Sequence, residues 1–222
     1  MKISIVIPVL DEAARIGALL AELRQFEEVI VVDGGSRDET VAIARAVPGV
    51  RVETAPRGRA SQMNHGARAA TGDVLLFLHA DVSLPPDAAG QIREALASPN
   101  VVAGAFRTWH FADGRRAPWL HLADLRSRYS GLPYGDQAMF VRREAFQAVG
   151  GFPEQRLFED LELSRRLRKV GRISIVRSCV RVSGRRFLAH PVRAMLTVNA
   201  LPLLYRAGVP ADWLARLYPN TR

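Results

Sequence analysis

The chain has 222 residues, 48% hydrophobic and 24% charged, with 17 Gly and 13 Pro; this excludes disordered, collagen-like and low-complexity polymers and fits one globular domain. Its one cysteine, Cys179, excludes an intramolecular disulfide framework and a cysteine-built zinc site. Thirty-one Lys+Arg against 22 Asp+Glu give +9, and lysine occurs only at Lys2 and Lys169; the arginine surplus is either a codon preference or the mark of an anionic partner, be it nucleic acid, an acidic membrane surface or a phosphorylated small molecule.

Residues 3–9 are β-branched and end at Pro8 and Val9, as a buried strand entering a loop does. Ile16, Leu19, Leu20 and Leu23 then share one helical face. A second strand, 29–33, stops at Gly34-Gly35, and Ser36 with Glu39 reads as a capping box for a helix to about Ala46. Val50–Thr54 is a short strand, Arg59 to Ala70 a helix, and 73–81 (DVLLFLHAD) a fourth strand. Beyond Pro85-Pro86 follow a helix near 87–97, a strand near 101–111 and a helical stretch near 118–129. A loop, short strand and short helix then lead to Gly150-Gly151. An amphipathic helix follows, with Leu161, Leu167 and Val170 inward and Gly171 at its end. The chain closes with a strand at 172–182 and a helical region from about His190. No stretch approaches the roughly 18–20 apolar residues of a membrane span. Met1-Lys2 runs directly into the first strand, which leaves no room for a signal peptide. The expected location is cytoplasmic, with peripheral membrane contact left open.

Strand–helix alternation implies an α/β fold, a mainly parallel central sheet with helices on both faces. Ligands of such sheets bind outside the carboxyl ends of the strands. Asp11 and Glu12 follow strand one, Asp33 ends strand two, and His79 and Asp81 end strand four, so these groups are expected on one rim. No GxGxxG follows strand one, and neither a P-loop, a GxSxG elbow nor a histidine pair at metal-ligand spacing occurs. Acids at strand ends with interspersed arginines suit a nucleotide diphosphate held through a divalent cation.

Six segments in order, SIVIPVLDE, VVDGGSRDET, GRASQMNHGARAATGD, LLFLHADVSLP, GDQAMFVRREAFQAVGGF and FEDLELSRRL, resemble the family 2 glycosyltransferases of the GT-A (nucleotide-diphospho-sugar transferase) fold over nearly the whole chain. The form is similar to a small bacterial subgroup, described as radical-SAM- or selenodomain-associated, with His-Ala-Asp in place of Asp-x-Asp. The resemblance implies a single domain with a nucleotide-binding half (1–100), an acceptor and catalytic half (101–189) and a C-terminal helical region (190–222).

By position, the resemblance puts Pro8, Val9 and Glu12 at the nucleoside and Asp33 on the uracil or ribose. Arg59, Gln62 and Asn64 reach towards the nucleotide and donor sugar, and Arg185 clamps the diphosphate. Asp81 holds Mg²⁺ or Mn²⁺, with His79 as a second ligand. Asp160 is the catalytic base. Asp136, Glu159, Trp109 and Tyr134 lie on the acceptor side. The reaction implied is inverting, metal-dependent transfer of one sugar from a nucleotide-sugar, a UDP-sugar first, to an acceptor hydroxyl or lipid phosphate. The QxxRW motif of processive synthases is absent. A nucleotidyl- or phospho-sugar transferase on a related scaffold is the alternative. A nucleic-acid binder is a distant third, with no binding motif behind it, and nucleic acid is not expected as a partner. The C-terminal region, rich in Leu, Tyr, Trp and Arg, admits packing on the domain, a second copy or an anionic membrane.

Overall fold

The computed structural model describes residues 1–112, 115–116, 121–129, 131–184 and 200–217. Strands β1 (Ile3–Val9), β2 (Glu28–Asp33), β3 (Val50–Thr54) and β4 (Val74–Phe77) form a parallel block in the order β3-β2-β1-β4. The register aligns Val9 with Asp33 and Asp33 with Thr54, so β1, β2 and β3 finish level, while β4 stops earlier, with Phe77 opposite Val6. Next to β4 the direction reverses. Strand β8 (Phe140–Arg142) runs antiparallel to both β4 and β6 (Val101–Ala112), and β6 pairs in parallel with β9 (Arg172–Ser183). The short β5 (Val82–Ser83) closes the far edge, and β7 (Arg115–Arg116) folds back on β6. This is the α/β architecture expected, parallel in its first half and mixed in its second.

Strand alternation decides which helix packs where. Ile3, Ile5, Ile7 and Val9 face α1 (Ala13–Glu22), α2 (Thr40–Arg45) and α4 (Ala88–Ala95) through Ile16, Leu19, Leu20, Ala44, Ala88 and Ile92. Val6, Ile30, Val32, Leu75 and Phe77 face α3 (Arg59–Ala69), α6 (Arg143–Ala148) and α7 (Glu159–Val170) through Ala60, Met63, Ala67, Phe146, Leu163 and Leu167. Helix α5 (His121–Tyr129) lies against β6. A third cluster joins Leu157, Phe158 and Leu161 to Leu201 of a helical segment, 200–206, and to Leu214 of the helix Ala211–Leu217. Tyr205 stacks on Phe158 at 4.8 Å, with the Arg165 guanidinium 5.2 Å from its ring. The C-terminal helices therefore pack on the domain, while Leu203 and Trp213 remain exposed.

Three local expectations are corrected. Ser36 and Glu39 form no capping box; Ser36 Oγ donates to Asp33 instead, and α2 begins at Thr40 with no side-chain cap. Strand four ends at Phe77, and His79–Asp81 form a turn before β5. Val170 is 51% exposed, because α7 spends its buried stripe on Leu161, Leu163 and Leu167. Residues 118–120 and 190–199 of the expected helices lie outside the described residues.

Helix α3 approaches the sheet through Gly66, where a Cβ would sit 2.4 Å from Val6 Cγ1 and 2.9 Å from Val32 Cγ2. Both valines are completely buried and cannot retreat without repacking. Gly66→Ala is expected to lower stability by about 1–3 kcal/mol, read as an earlier urea midpoint at unchanged slope.

Candidate active site

The level strand ends build the first wall of the site. Asp33 points its carboxylate into the following loop, accepting from Gly35 N (3.0 Å), Ser36 N (3.1 Å) and Ser36 Oγ (2.5 Å). Gln62 straps α3 to two strand ends, its Nε2 donating to Val9 O (2.8 Å) and Val32 O (2.7 Å). Asp11, in the left-handed region at φ 54°, accepts from Arg37 N, and its own amide donates to Ser36 Oγ. Buried Glu12 accepts from Arg15 at 2.6 Å, beside half-buried Pro8 and buried Val9. Asn64 exchanges two hydrogen bonds with the Phe152 backbone, both 2.9 Å. That contact anchors the Gly150-Gly151 loop to α3.

The second wall gathers around His79. Its ring is pushed below the usual histidine pKa, chiefly by burial and then by Arg59; Asp81, Asp136 and Asp160 oppose that shift. These four charged groups, from four separate segments, therefore act on one imidazole. Gly135, opening a single 3-10 turn (Gly135–Gln137), lies between them: a Cβ there would be 3.1 Å from His79 Nε2 and 3.2 Å from Asp160 Oδ2. A side chain at this position would press on both groups. Asp160 is fixed by backbone donors, Gly135 N to Oδ2 (2.5 Å) and Leu161 N to Oδ1 (2.6 Å).

Neighbouring Glu159 is 2% exposed and paired through Oε1 with Arg59 Nε at 3.0 Å; its Oε2 has no hydrogen-bond partner among the described residues. Burial pushes its pKa up, with Arg59 working against the shift and Asp160 for it. Phe158 and Ala138, just before the acid pair and just after the 3-10 turn, are left-handed at φ 64° and 47°. Each costs about 1–3 kcal/mol, and strain of this kind concentrates at working sites.

The structure thus brings Arg59, His79, Asp81, Asp136, Glu159 and Asp160 together beside the rim of Asp33. Gln62 and Asn64 are engaged with backbone. Tyr134 is buried in the Leu157–Phe158–Leu161 cluster, and Trp109 lies on β6 opposite Arg181. Arg185 lies outside the described residues. Two buried residues escape the sequence reading: His110, whose Nδ1 is 2.7 Å from Asp124 and whose Nε2 is 3.6 Å from Asp136, and Asp124 itself. Their signal was a histidine two positions after Thr108, on one inward strand face.

No three His, Cys, Asp or Glu side chains among the described residues form a cage for a metal ion. Asp81 and an imidazole held neutral offer two donors, which fits a hard cation that completes its shell with water and substrate phosphates.

A sheet that is parallel in its first half and mixed beyond the reversal, with acids at that reversal, is the GT-A glycosyltransferase fold. A mannosyltransferase from Pyrobaculum calidifontis, solved in complex with GDP-Man and Mn²⁺, matches with a TM-score of 0.71 at 20% identity over 99% of this chain and 69% of its own. A Mycobacterium tuberculosis glucosyl-3-phosphoglycerate synthase, solved with Mn²⁺, UDP-glucose and phosphoglyceric acid, matches at 0.61 and 20% over 94% and 80%. Residues 4–152 match the model of Glycosyl transferase family 2, and the chain belongs to that family. The succinoglycan biosynthesis protein ExoA of Rhizobium meliloti is 33% identical over 191 residues, 75% of this chain and 58% of that protein. The chain thus spans little more than half the length of that relative.

Arg59→Ala leaves Glu159 buried without its cation, at a cost of about 1–3 kcal/mol. A carboxyl whose folded pKa is raised holds a proton that the unfolded chain releases, so stability falls as pH rises above the ordinary carboxylate value. Thermal melts should show Arg59→Ala losing more stability than wild type as the pH rises above 4.5, with Glu159→Gln in the same background removing the excess.

Proposed function

We propose that the chain transfers one sugar from a nucleotide diphosphate donor, a UDP-sugar first, to an acceptor hydroxyl or lipid phosphate with inversion at the anomeric carbon. The observation that carries this reading is the Asp160 carboxylate, fixed by two backbone amides beside His79 and Asp81. In this reading the nucleoside occupies the rim of Pro8, Val9, Glu12 and Asp33, while Arg59, with Arg185, faces the phosphates. Asp81, with His79, would hold Mg²⁺ or Mn²⁺, which supplies charge neutralisation for the departing diphosphate. Asp160 takes the acceptor proton as that oxygen bonds to the anomeric carbon, and the bond from that carbon to the diphosphate oxygen breaks with its electron pair leaving on the nucleotide. Glu159, Asp136, Trp109 and Tyr134 belong to the acceptor side, Gln62 and Asn64 to the support of the donor side.

In the same reading the chain is a cytoplasmic single-transfer enzyme, of the small bacterial subgroup that its His79-Ala80-Asp81 form resembles. No helix among the described residues is long and apolar enough to cross a membrane.

UDP with Mn²⁺ should raise the melting temperature of wild type and raise that of Asp81→Ala much less; equal shifts would remove Asp81 as a ligand. Asp160→Asn should keep the thermal shift and lower turnover by about 10²–10⁴-fold, the usual worth of a general base. Product analysis should find a nucleoside diphosphate. Pyrophosphate or a nucleoside monophosphate would identify a nucleotidyl- or phospho-sugar transferase instead.

A further inference from the structure

We propose that His110 is a positioning residue for the site: gripped by Asp124 at Nδ1 and facing Asp136 with Nε2, it holds the Asp136 carboxylate beside His79 to accept hydrogen bonds from hydroxyls of the sugar substrate. The identity of that ligand rests on the transferase reading above; the grip itself does not.

His110 is 1% exposed, and Asp124 Oδ1 lies 2.7 Å from its Nδ1. Asp124 is fixed in turn: the same oxygen accepts from Thr108 Oγ1 (3.0 Å) and His110 N (3.2 Å), while Ser127 Oγ donates to the Asp124 carbonyl (2.7 Å) and accepts from Thr108 N (3.0 Å). The second oxygen, Oδ2, has no hydrogen-bond partner among the described residues. On the other side Nε2 stands 3.6 Å from Asp136 Oδ2, whose side chain is 31% exposed and whose charge acts on His79.

Charged groups from two elements act on the ring, Asp124 from α5 and Asp136 from the 3-10 turn. Burial alone would neutralise it, and the hydrogen bond to Asp124 with the negative charge of both carboxylates reverses the effect, raising the pKa to about 9. A buried array of acid, imidazolium and acid is a poor way to gain stability, since desolvation offsets most of the attraction. It is an effective way to fix the last carboxylate in direction and charge, and that carboxylate is partly open to solvent beside His79. Two oxygens aimed by a charged donor suit a polyol, whose hydroxyls all donate.

The test combines histidine-selective ¹⁵N NMR with a double-mutant cycle. In wild type the His110 ring should be doubly protonated at pH 8, and in Asp136→Asn it should lose its proton at lower pH. A neutral ring in wild type, or one indifferent to Asp136→Asn, overturns the proposal without any reference to turnover. Because the raised pKa binds a proton that the unfolded chain lacks, wild type should lose stability from about pH 6.5 to 9, whereas His110→Gln should not.

For activity, the donor among UDP-glucose, UDP-GlcNAc and GDP-mannose that gives turnover is used. His110→Gln and Asp136→Asn should each lower kcat/KM by about 10–100-fold, leave the affinity for UDP within twofold, and together do no more than the worse of the two. Multiplying effects would overturn the proposal. If wild type turns over none of the three donors, the transferase reading loses its support, and the NMR arm still decides the grip on Asp136.

Discussion

One hydrogen bond fixes the geometry on which the site depends: the Phe77 amide, at the end of β4, donates to the Met139 carbonyl at 2.8 Å, just before β8 begins. Because β8 runs against β4, the chain must enter β8 next to where it leaves β4. The turn His79–Asp81 and the turn Gly135–Gln137 are therefore neighbours by construction. Everything chemical follows from that adjacency. Gly135 sits on the imidazole, and its amide holds Asp160. Asp136 lies one residue further, part-exposed and 3.6 Å from His110 Nε2. Had β8 run parallel to β4, these groups would stand at opposite ends of the sheet.

The charge distribution reads differently once the site is assembled. A protein of net charge +9 turns three carboxylates, Asp81, Asp136 and Asp160, on a single imidazole, sets Glu159 next to them in sequence, and answers with the part-exposed Arg59 and the buried His110. Each of those cations is committed to an acid by geometry: Arg59 to Glu159 at 3.0 Å and His110 to Asp124 at 2.7 Å. The surplus arginine elsewhere therefore says little about the chemistry. Local pairing, not net charge, sets the field in which a phosphorylated ligand would find itself.

The rim was legible because it is a local property. Apolar runs of strand length, each stopped by a polar residue, place Asp33, His79 and Asp81 at carboxyl ends without any knowledge of packing. The acid pair at 159–160 was legible only through resemblance, since a carboxylate at a helix start is ordinary. What stayed hidden is long-range or conformational. Arg59 and Glu159 are a hundred residues apart. Ser36 had two local partners to choose from, and Asp33 outcompeted the helix end. Val170 fits the helical period but falls at the last residue, where α7 has already used its packed face. Phe158 and Ala138 give no sign of left-handed backbone, because neither is a residue that favours it.

Phe158 carries a consequence for the far end of the chain. Its backbone conformation, unfavourable for an aromatic residue, directs Glu159 and Asp160 into the site, and its ring is held by Tyr205 and the hydrophobic cluster of the last helices. Those helices are thus the counterweight to a bent spring. A truncation placed before them would reach the acid pair from behind, through the one peptide that most needs to be pinned.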